Sequence, residues 1–537
     1  MPNAVGYLVI RHKENAEITT VPHWSSGYRW EIGYTYGYFP EISPQRLRFA
    51  ALAGGAQTRQ GRPLRYLELG FGQGLSLNIH AAACPGEYWG VDFNPAHAAQ
   101  AREMADSFGS DARIFDLSFE ELARRQDDLP DFDVIVLHGI WSWISEEARE
   151  AIVELARRKL SVGGLFYISY NCPPGWAPAT PLRHLLNLHA EVAGSDAQGL
   201  VGKIDAALNF AQKVVDSDAL YFKANPAVGE RLKQLTQQNR AYLAHEFFNR
   251  SWQPSPFSEV AGQLGAAKLE FAASAHLLDQ VDVINFTLAG RQLLSEISHP
   301  VLRQSVRDYL INQQFRRDIF VKGLRPLPLS ARRDGLMAQR FVLGALPQYV
   351  SMKMTGPLGE VDLHQDLYGP VLEALACESH RPKSFKDVLE HPSWRAQDPD
   401  LLMQCLQVLI SMGVVHPVQH EADVEAARSR CQALNAHLCH RARDSGDVEF
   451  LASPVTGAGV PVGRIDQLFL QAHALGIQAP VDMATSVWSV LTAQGQRLTK
   501  EGKALQTDEE NIAELVAQAS LFADRKLVVF QAFGLTN

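Results

Sequence analysis

The segment Tyr66-Leu67-Glu68-Leu69-Gly70-Phe71-Gly72-Gln73-Gly74 joins an apolar run to a helical stretch, with glycines at three alternate positions. Gly70 permits a sharp turn, and Gly72 lets the main chain approach a ligand closely because it has no Cβ. Gly74 lets the following helix pack tightly on the strand. The spacing is GxGxG rather than GxGxxG, so the pyrophosphate-binding fingerprint is not met. By itself the glycine run also fits a tight strand–helix turn with no ligand.

Three carboxylates narrow the choice. Glu68 sits just before the glycines, where its charge can meet a cationic group that a pyrophosphate would not supply. Asp92 closes the next apolar run, 18 residues beyond Gly74, where an acid can accept hydrogen bonds from both ribose hydroxyls. Asp116 closes a third run and can accept from an adenine amino group, with Phe93 and Leu117 placed to sandwich the ring. A nucleoside pocket ringed by carboxylates and lacking a phosphate device suits S-adenosylmethionine.

Further candidates lie downstream. His138, at the tip of the run FDVIVLHG, could touch cofactor or acceptor, or simply end a strand and bond its own loop. Trp141 and Trp143 could wall an acceptor amine or a sulfonium by cation–π attraction, or pack beneath a lid. Tyr170 and Trp176 fall near the same end. Tyr34, Tyr36 and Tyr38 could form a lid over the cofactor or serve ordinary packing. His245-Glu246 in YLAHEFFN begins like HExxH, but Asn249 stands where a second zinc ligand is required, so zinc hydrolysis is rejected and no metal is expected. Tyr242, His245, Glu246 and Asn249 share one helix face. That polar stripe either lines an acceptor cleft, with Glu246 attracting an amine and His245 accepting its proton, or is a buried hydrogen-bonded contact.

The elements that must position these residues alternate from Leu64 to about Tyr170: RYLELG, EYWGVDF, ARIFD, FDVIVLHG and GGLFYISYN read as strands separated by helices. Near-continuous apolar strands alternating with helices predict a doubly wound, mostly parallel α/β sheet covered on both faces. Ser43-Pro44 predicts a capped helix start, and Gly54-Gly55 its end. After PPGWAPATP the chain reads as helical for roughly 150 residues, including AAKLEFAASAHLLDQ and QLLSEISHPVLRQSVRDYLINQQFRRDIF. Residues 370–418 suggest a winged-helix-like unit. The predicted division is a lid segment (1–43), a cofactor-binding core (44–185), a helical middle domain (186–350), the winged-helix-like unit (351–420) and a C-terminal domain (421–537).

At 537 residues with 46% hydrophobic and 20% charged side chains, the chain is globular and multi-domain, not disordered. A net charge of −9 supplies no large basic field, and DLLMQCLQVLISMG, the last candidate helix of the winged-helix-like unit, has no Arg or Lys, so nucleic acid is not expected as partner. No run approaches the ~20 apolar residues of a membrane-spanning helix, and the opening MPNAVGYLVIRHKENAE lacks the basic n-region and long apolar h-region expected of a signal peptide. Six cysteines without a CxxC pair fit reduced thiols in a cytoplasmic protein.

ELGFGQG with acidic strand ends at Asp92 and Asp116 resembles the class I S-adenosylmethionine-dependent methyltransferases over about residues 44–175. TYGYFPEISPQRL, FDVIVLHGIWSWIS, YNCPPGW and YLAHEFFN more narrowly resemble bacterial members carrying a methyltransferase regulatory domain, including rickettsial protein-lysine methyltransferases. The resemblance implies that Glu68, Gly70, Phe71, Gly72 and Gly74 hold the methionine end and ribose of the cofactor, that Asp92 and Phe93 serve the nucleoside, and that Asp116 and Leu117 serve the adenine. Tyr34 and His138 are expected to touch the cofactor, and His138, Trp143, His245 and Glu246 are the expected catalytic residues. The later regions would shape the acceptor site or mediate dimerisation, which leaves room for a homodimer. The Asn/Asp-Pro-Pro-Tyr pattern of enzymes acting on planar amino groups is absent, which counts against a nucleobase substrate. The expected reaction is methyl transfer to a protein lysine, with S-adenosylhomocysteine as product. A small-molecule or glycan-precursor acceptor is the alternative, and a cofactor-binding module without catalysis is the reading from another class.

Overall fold

The computed structural model describes residues 36–60, 63–194, 199–249, 251–395 and 398–536, so Tyr34 lies outside the described residues. Helix α1 (Pro44–Ala53) starts as its sequence predicts: the Ser43 hydroxyl accepts from the Arg46 N–H at 3.3 Å, and Pro44 occupies a first-turn position that needs no N–H. Strand β1 (Leu64–Leu69) leads to α2 (Leu75–Ala83), β2 (Gly86–Asp92), α3 (Pro95–Asp106), β3 (Arg113–Asp116), α4 (Phe119–Arg124), β4 (Phe132–Leu137), α5 (Glu146–Lys159) and β5 (Leu160–Asn171). A Ser118–Glu121 capping box opens α4, and the Ser145 hydroxyl caps α5.

These five strands run parallel, with β1 between β2 and β4. Successive side chains go to opposite faces of the sheet. Tyr66, Val134 and Tyr167 join one apolar cluster, and Leu67, Ile135 and Phe166 join another. Strand order reverses between β1 and β4, which opens a crevice beyond their carboxyl ends.

Two segments read as helical from sequence are strands. Leu269–Ser274 is β6 and Phe315–Lys322 is β7, and they complete a seven-stranded sheet of order β3-β2-β1-β4-β5-β7-β6, with β7 antiparallel to both its neighbours. The sheet therefore draws its last two strands from the region the sequence divides off as the helical middle. Arg316 and Asp318 obscure the strand pattern because both are charged yet buried. Arg316 Nε donates to Asp318 Oδ2 at 2.8 Å, and Arg316 also pairs with buried Asp308.

The first face of the sheet is covered by the C-terminal region. All nine residues of α2 are buried, beneath the helix Glu421–Arg441 and the hairpin Phe450–Ser453 and Ala458–Pro461. Gln419 Nε2 donates to the Ala83 carbonyl at 2.8 Å, and Gly459 N–H to the Tyr38 hydroxyl at 2.6 Å. Tyr38 thus serves packing and not a lid. In residues 340–418, the strands Lys383–Ser384, Arg340–Leu343 and Val415–Val418 form a small antiparallel sheet in that order. Its central strand comes from upstream, and the helix Pro399–Ser411 is largely buried against neighbouring elements. Among the described residues no helix is long and apolar enough to cross a membrane.

Candidate active site

The glycine turn is a backbone device first. Gly70, Gly72 and Gly74 have φ of +74°, +57° and +76°, a left-handed region that costs an L-residue with a side chain about 1–2 kcal/mol. The turn is tied back to β2: Gly70 N–H donates to the Val91 carbonyl at 2.7 Å, and Gly72 N–H to Asp92 Oδ2 at 2.9 Å. Asp92 Oδ1 accepts from Asn94 N–H at 3.0 Å and lies 3.2 Å from His97 Nδ1. Of the roughly four lone-pair positions on a carboxylate, these contacts leave room for an incoming hydroxyl.

A cleft of about 420 Å³ opens at the strand-order reversal. Glu68, Gly70, Phe71, Gly72, Asp92 and Phe93 line its sheet side. His138 and Trp143 line the tip of β4. Tyr242, His245, Glu246 and Asn249 line it from the helix Arg240–Phe247 and the residues just after. The polar stripe on that helix and the glycine turn, more than 160 residues apart in sequence, therefore face one cavity.

Other expected residues stand elsewhere. A Cβ on Gly74 would lie 2.4 Å from that of Ala101, so this glycine brings α2 against α3 and does not line the cleft. Asp116 pairs in register with Asp92 but is exposed, outside the cleft lining, its carboxylate accepting from Arg102 Nη2 at 2.9 Å. Leu117 packs on the apolar cluster beneath α4, and Phe119 lines the cleft instead. Trp141 is fully buried with Arg149 over its ring, and Tyr170 is buried with its hydroxyl donating to Asp318 Oδ2 at 2.8 Å, so neither forms a wall.

Several lining residues carried no sequence signal. Phe39 stacks on the His138 ring at 3.9 Å between centroids, and Gln314 and Phe315 enter from the start of β7, which the sequence does not reveal as a strand. Arg231, from the helix Pro226–Thr236, lines the cleft and stacks on Trp176 at 4.1 Å, while Arg183, outside the lining, stacks on Trp252 at 4.5 Å.

Burial sets the protonation states. Glu68 is pushed up to about 8 by desolvation, reinforced by the nearby Asp92 charge and opposed by the Tyr66 hydroxyl, 3.4 Å from Oε2. Desolvation also raises Glu246 to about 7, against the pull of Arg183 and Arg231. His138 is pushed down to about 4 by burial and stays neutral, with Nδ1 2.8 Å from the Tyr167 hydroxyl. A desolvated carboxyl such as Glu68, beside a second carboxylate and facing a cavity, fits a ligand that brings a positive charge and ribose hydroxyls.

Residues 67–164 match the family described as a methyltransferase domain, and residues 239–322 match the predicted methyltransferase regulatory domain. The second match spans β6, β7 and the helix bearing Glu246. An uncharacterized protein of Synechocystis sp. is 37% identical over 516 residues, covering 96% of this chain and all of that one. An uncharacterized protein of Rickettsia prowazekii is 23% identical over 339 residues, 62% of this chain and 58% of its own. Among solved structures, PKMT2 from Rickettsia typhi in complex with AdoHcy superposes with a TM-score of 0.68 at 16% identity, covering 94% of this chain and 99% of that one.

Proposed function

We infer the acceptor chemistry from one premise: this chain belongs to the S-adenosylmethionine-dependent methyltransferases that carry a methyltransferase regulatory domain. Its acceptor is the ε-amine of a protein lysine. The fold shared with PKMT2, whose name abbreviates protein lysine methyltransferase, supports this reading. The observation that carries it is Glu246. Of the three carboxyls lining the cleft among the described residues, Glu68 and Asp92 stand at the sheet edge, and Glu246 alone faces the cleft from the middle region.

S-adenosylmethionine supplies an electrophilic methyl group on a sulfonium sulfur. Glu68 is assigned to its cationic end, Asp92 to the ribose hydroxyls, Phe71 and Phe93 to the apolar surface of the nucleoside, and Gly70 and Gly72 to close backbone approach. A lysine ammonium, ordinarily near pKa 10.4, must lose a proton before its nitrogen lone pair can attack. Glu246, poised near 7, takes that proton at neutral pH, since a general base works best with a pKa near the operating pH. Trp143 and Trp176 exclude water on either side, and His138, held neutral, adds no competing charge.

The reading is tested by incubating the full chain with methyl-labelled S-adenosylmethionine and a lysate of the source cell, then hydrolysing the protein fraction. Label is expected in methylated lysine. Label confined to polysaccharide or small molecules would overturn it.

A further inference from the structure

Among its described lining residues the cleft carries three carboxyls, Glu68, Asp92 and Glu246, and one permanent cation, Arg231. The position of that cation decides what it can meet. Arg231 comes from the helix Pro226–Thr236. Burial pulls its pKa down, and the titratable groups that oppose this are Tyr242 and Glu246, which line the cleft from the middle region. On the sheet side, the charge that acts on Glu68 is that of Asp92. Arg231 therefore stands at the acceptor end, beside the group assigned to the incoming amine and away from the end assigned to the cofactor.

The guanidinium is held in place without being neutralised. It stacks on Trp176 at 4.1 Å, and the Gln314 amide, turned with its oxygen toward it, accepts from Nη2 at 3.2 Å and from Nη1 as well. A guanidinium has five N–H donors, so donors remain. No carboxylate forms an ion pair with Arg231 among the described residues, and Glu246 acts on it only from longer range. Trp176 is 5% exposed, and its Nε1–H has no acceptor among the described residues. Buried donors are normally satisfied, so this wall presents donors and a positive charge whose acceptor the described chain does not supply. Arg183, the other cation acting on Glu246, is engaged behind the wall: its Nη2 donates to the Asn249 carbonyl at 2.8 Å and its guanidinium stacks on Trp252.

The planar fork of a guanidinium matches a carboxylate through two parallel hydrogen bonds. It also repels a second ammonium group, and such repulsion is a source of specificity. The three carboxyls of the cleft would draw any basic segment. A fixed guanidinium among them favours a lysine with an acidic neighbour over a lysine in a basic run.

We propose, on the premise that the acceptor is a protein lysine, that Arg231 sets the sequence context of that lysine by binding the carboxylate of an Asp or Glu at one fixed position beside it. The segment enters as a pair of opposite charges, its ammonium toward Glu246 and its carboxylate toward Arg231.

The test uses the full chain, methyl-labelled S-adenosylmethionine and a library of lysine peptides in which each flanking position in turn holds Glu, Gln or Lys. At one position the parent should turn over Glu peptides about tenfold or more faster, in kcat/KM, than Gln peptides, the range expected for a hydrogen bond to a charged group. Lys at that position should be poorest. Arg231→Gln should erase the preference, Arg231→Lys should keep part of it, and Arg231→Glu should invert it toward Lys, which a loss of packing would not do. Each preference is a ratio within one protein, so it is separate from any change in overall rate through Glu246. Calorimetric affinity of Arg231→Gln for S-adenosylmethionine should stay close to the parent's. Equal turnover of Glu and Gln peptides at every position by the parent overturns the assignment and leaves the lysine reading standing, with no variant needed. An undiminished preference in folded Arg231→Gln also overturns it. So does a loss of cofactor affinity in that variant, which would give Arg231 to the cofactor's own carboxylate. Turnover of none of the peptides overturns the lysine reading together with this one.

Discussion

Gly72 donates its backbone N–H to Asp92 Oδ2 at 2.9 Å, so the acid at the end of β2 fixes the glycine turn before any ligand arrives. The same carboxylate accepts from Asn94 N–H and lies against His97. Asp92 therefore has a structural duty in addition to the one assigned to it toward ribose.

Asp92→Ala should act on both. Loss of charge-assisted hydrogen bonds to the ribose should weaken S-adenosylmethionine by ~1.5–3 kcal/mol, and the unpaired Gly72 and Asn94 donors should lower stability by ~1–3 kcal/mol. Calorimetric titration and thermal unfolding measure the two separately. Equal cofactor affinity for variant and parent would show that the ribose lies elsewhere.

Glu68 should couple cofactor binding to pH. Its carboxyl, at about 8 in the free protein, is mostly protonated at pH 7. A cationic group placed beside it favours the carboxylate, so binding at pH 7 should release close to one proton. Affinity should rise with pH up to about 8 and then level off. The sign for stability is opposite. A carboxyl raised from 4.5 to about 8 on folding binds more protons in the native state, so its contribution falls as pH rises through that interval. Calorimetry in buffers of different ionisation enthalpy counts the protons, and Glu68→Gln should abolish the release.

Glu246→Gln should separate the acceptor from the cofactor. Turnover should fall by about 100-fold or more, the usual contribution of a general base, with S-adenosylmethionine affinity nearly unchanged. In the parent, kcat/KM should decline as pH drops through about 7, as Glu246 becomes protonated. Full activity in the variant, or loss of that activity together with loss of fold, would leave the stripe as a packing contact.

How much of this was legible in sequence depends on where the signal resides. The strands β1 to β5 and the cap at Ser43 are local matters of periodicity and turn chemistry, and the chain has them where its residue types predict. The glycine turn is legible for the same reason, although Gly74 meets α3 and its role is to seat one helix on another. β6 and β7 are not legible. A charged pair at alternate positions of β7 reads as solvent-facing until its partner Asp308, from the helix Pro300–Leu310, is seen to bury it. Arg231 and Gln314 escape for a related reason: nothing local marks a residue whose role arises when distant elements meet.

The contrast between two glycines tests the turn. Gly74→Ala meets both a left-handed φ of +76° and the Ala101 side chain, whereas Gly139→Ala has φ of +67° with nothing within 4 Å. Gly139→Ala should cost ~1–2 kcal/mol of stability, and Gly74→Ala should exceed it by ~1–3 kcal/mol from overpacking. Denaturant unfolding of the two variants gives the difference directly, and equal losses would mean that α3 yields freely.

Arg316 offers the sharpest test of how the middle region is joined to the sheet. It is buried between Asp308 on the helix Pro300–Leu310 and Asp318 on β7, and Tyr170 of β5 closes the group by donating to Asp318. The two acids are raised by burial, Asp308 to about 6, so they depend on the guanidinium to remain charged at neutral pH. Arg316→Leu strands them, and removing one partner of a buried ion pair typically costs ~3–5 kcal/mol. Because burial raises both acids further once the cation is gone, the variant should recover part of the loss as pH falls toward 5, where protonated carboxyls are tolerated. The parent should gain less from acidification through this group, because the guanidinium holds both acids lower than they would stand without it. Since β7 carries Gln314 and Phe315 into the cleft, cofactor affinity should weaken along with stability. A variant as stable as the parent at pH 7 would mean that the sheet extension is held by apolar packing of Ile319, Phe320 and Val321 alone.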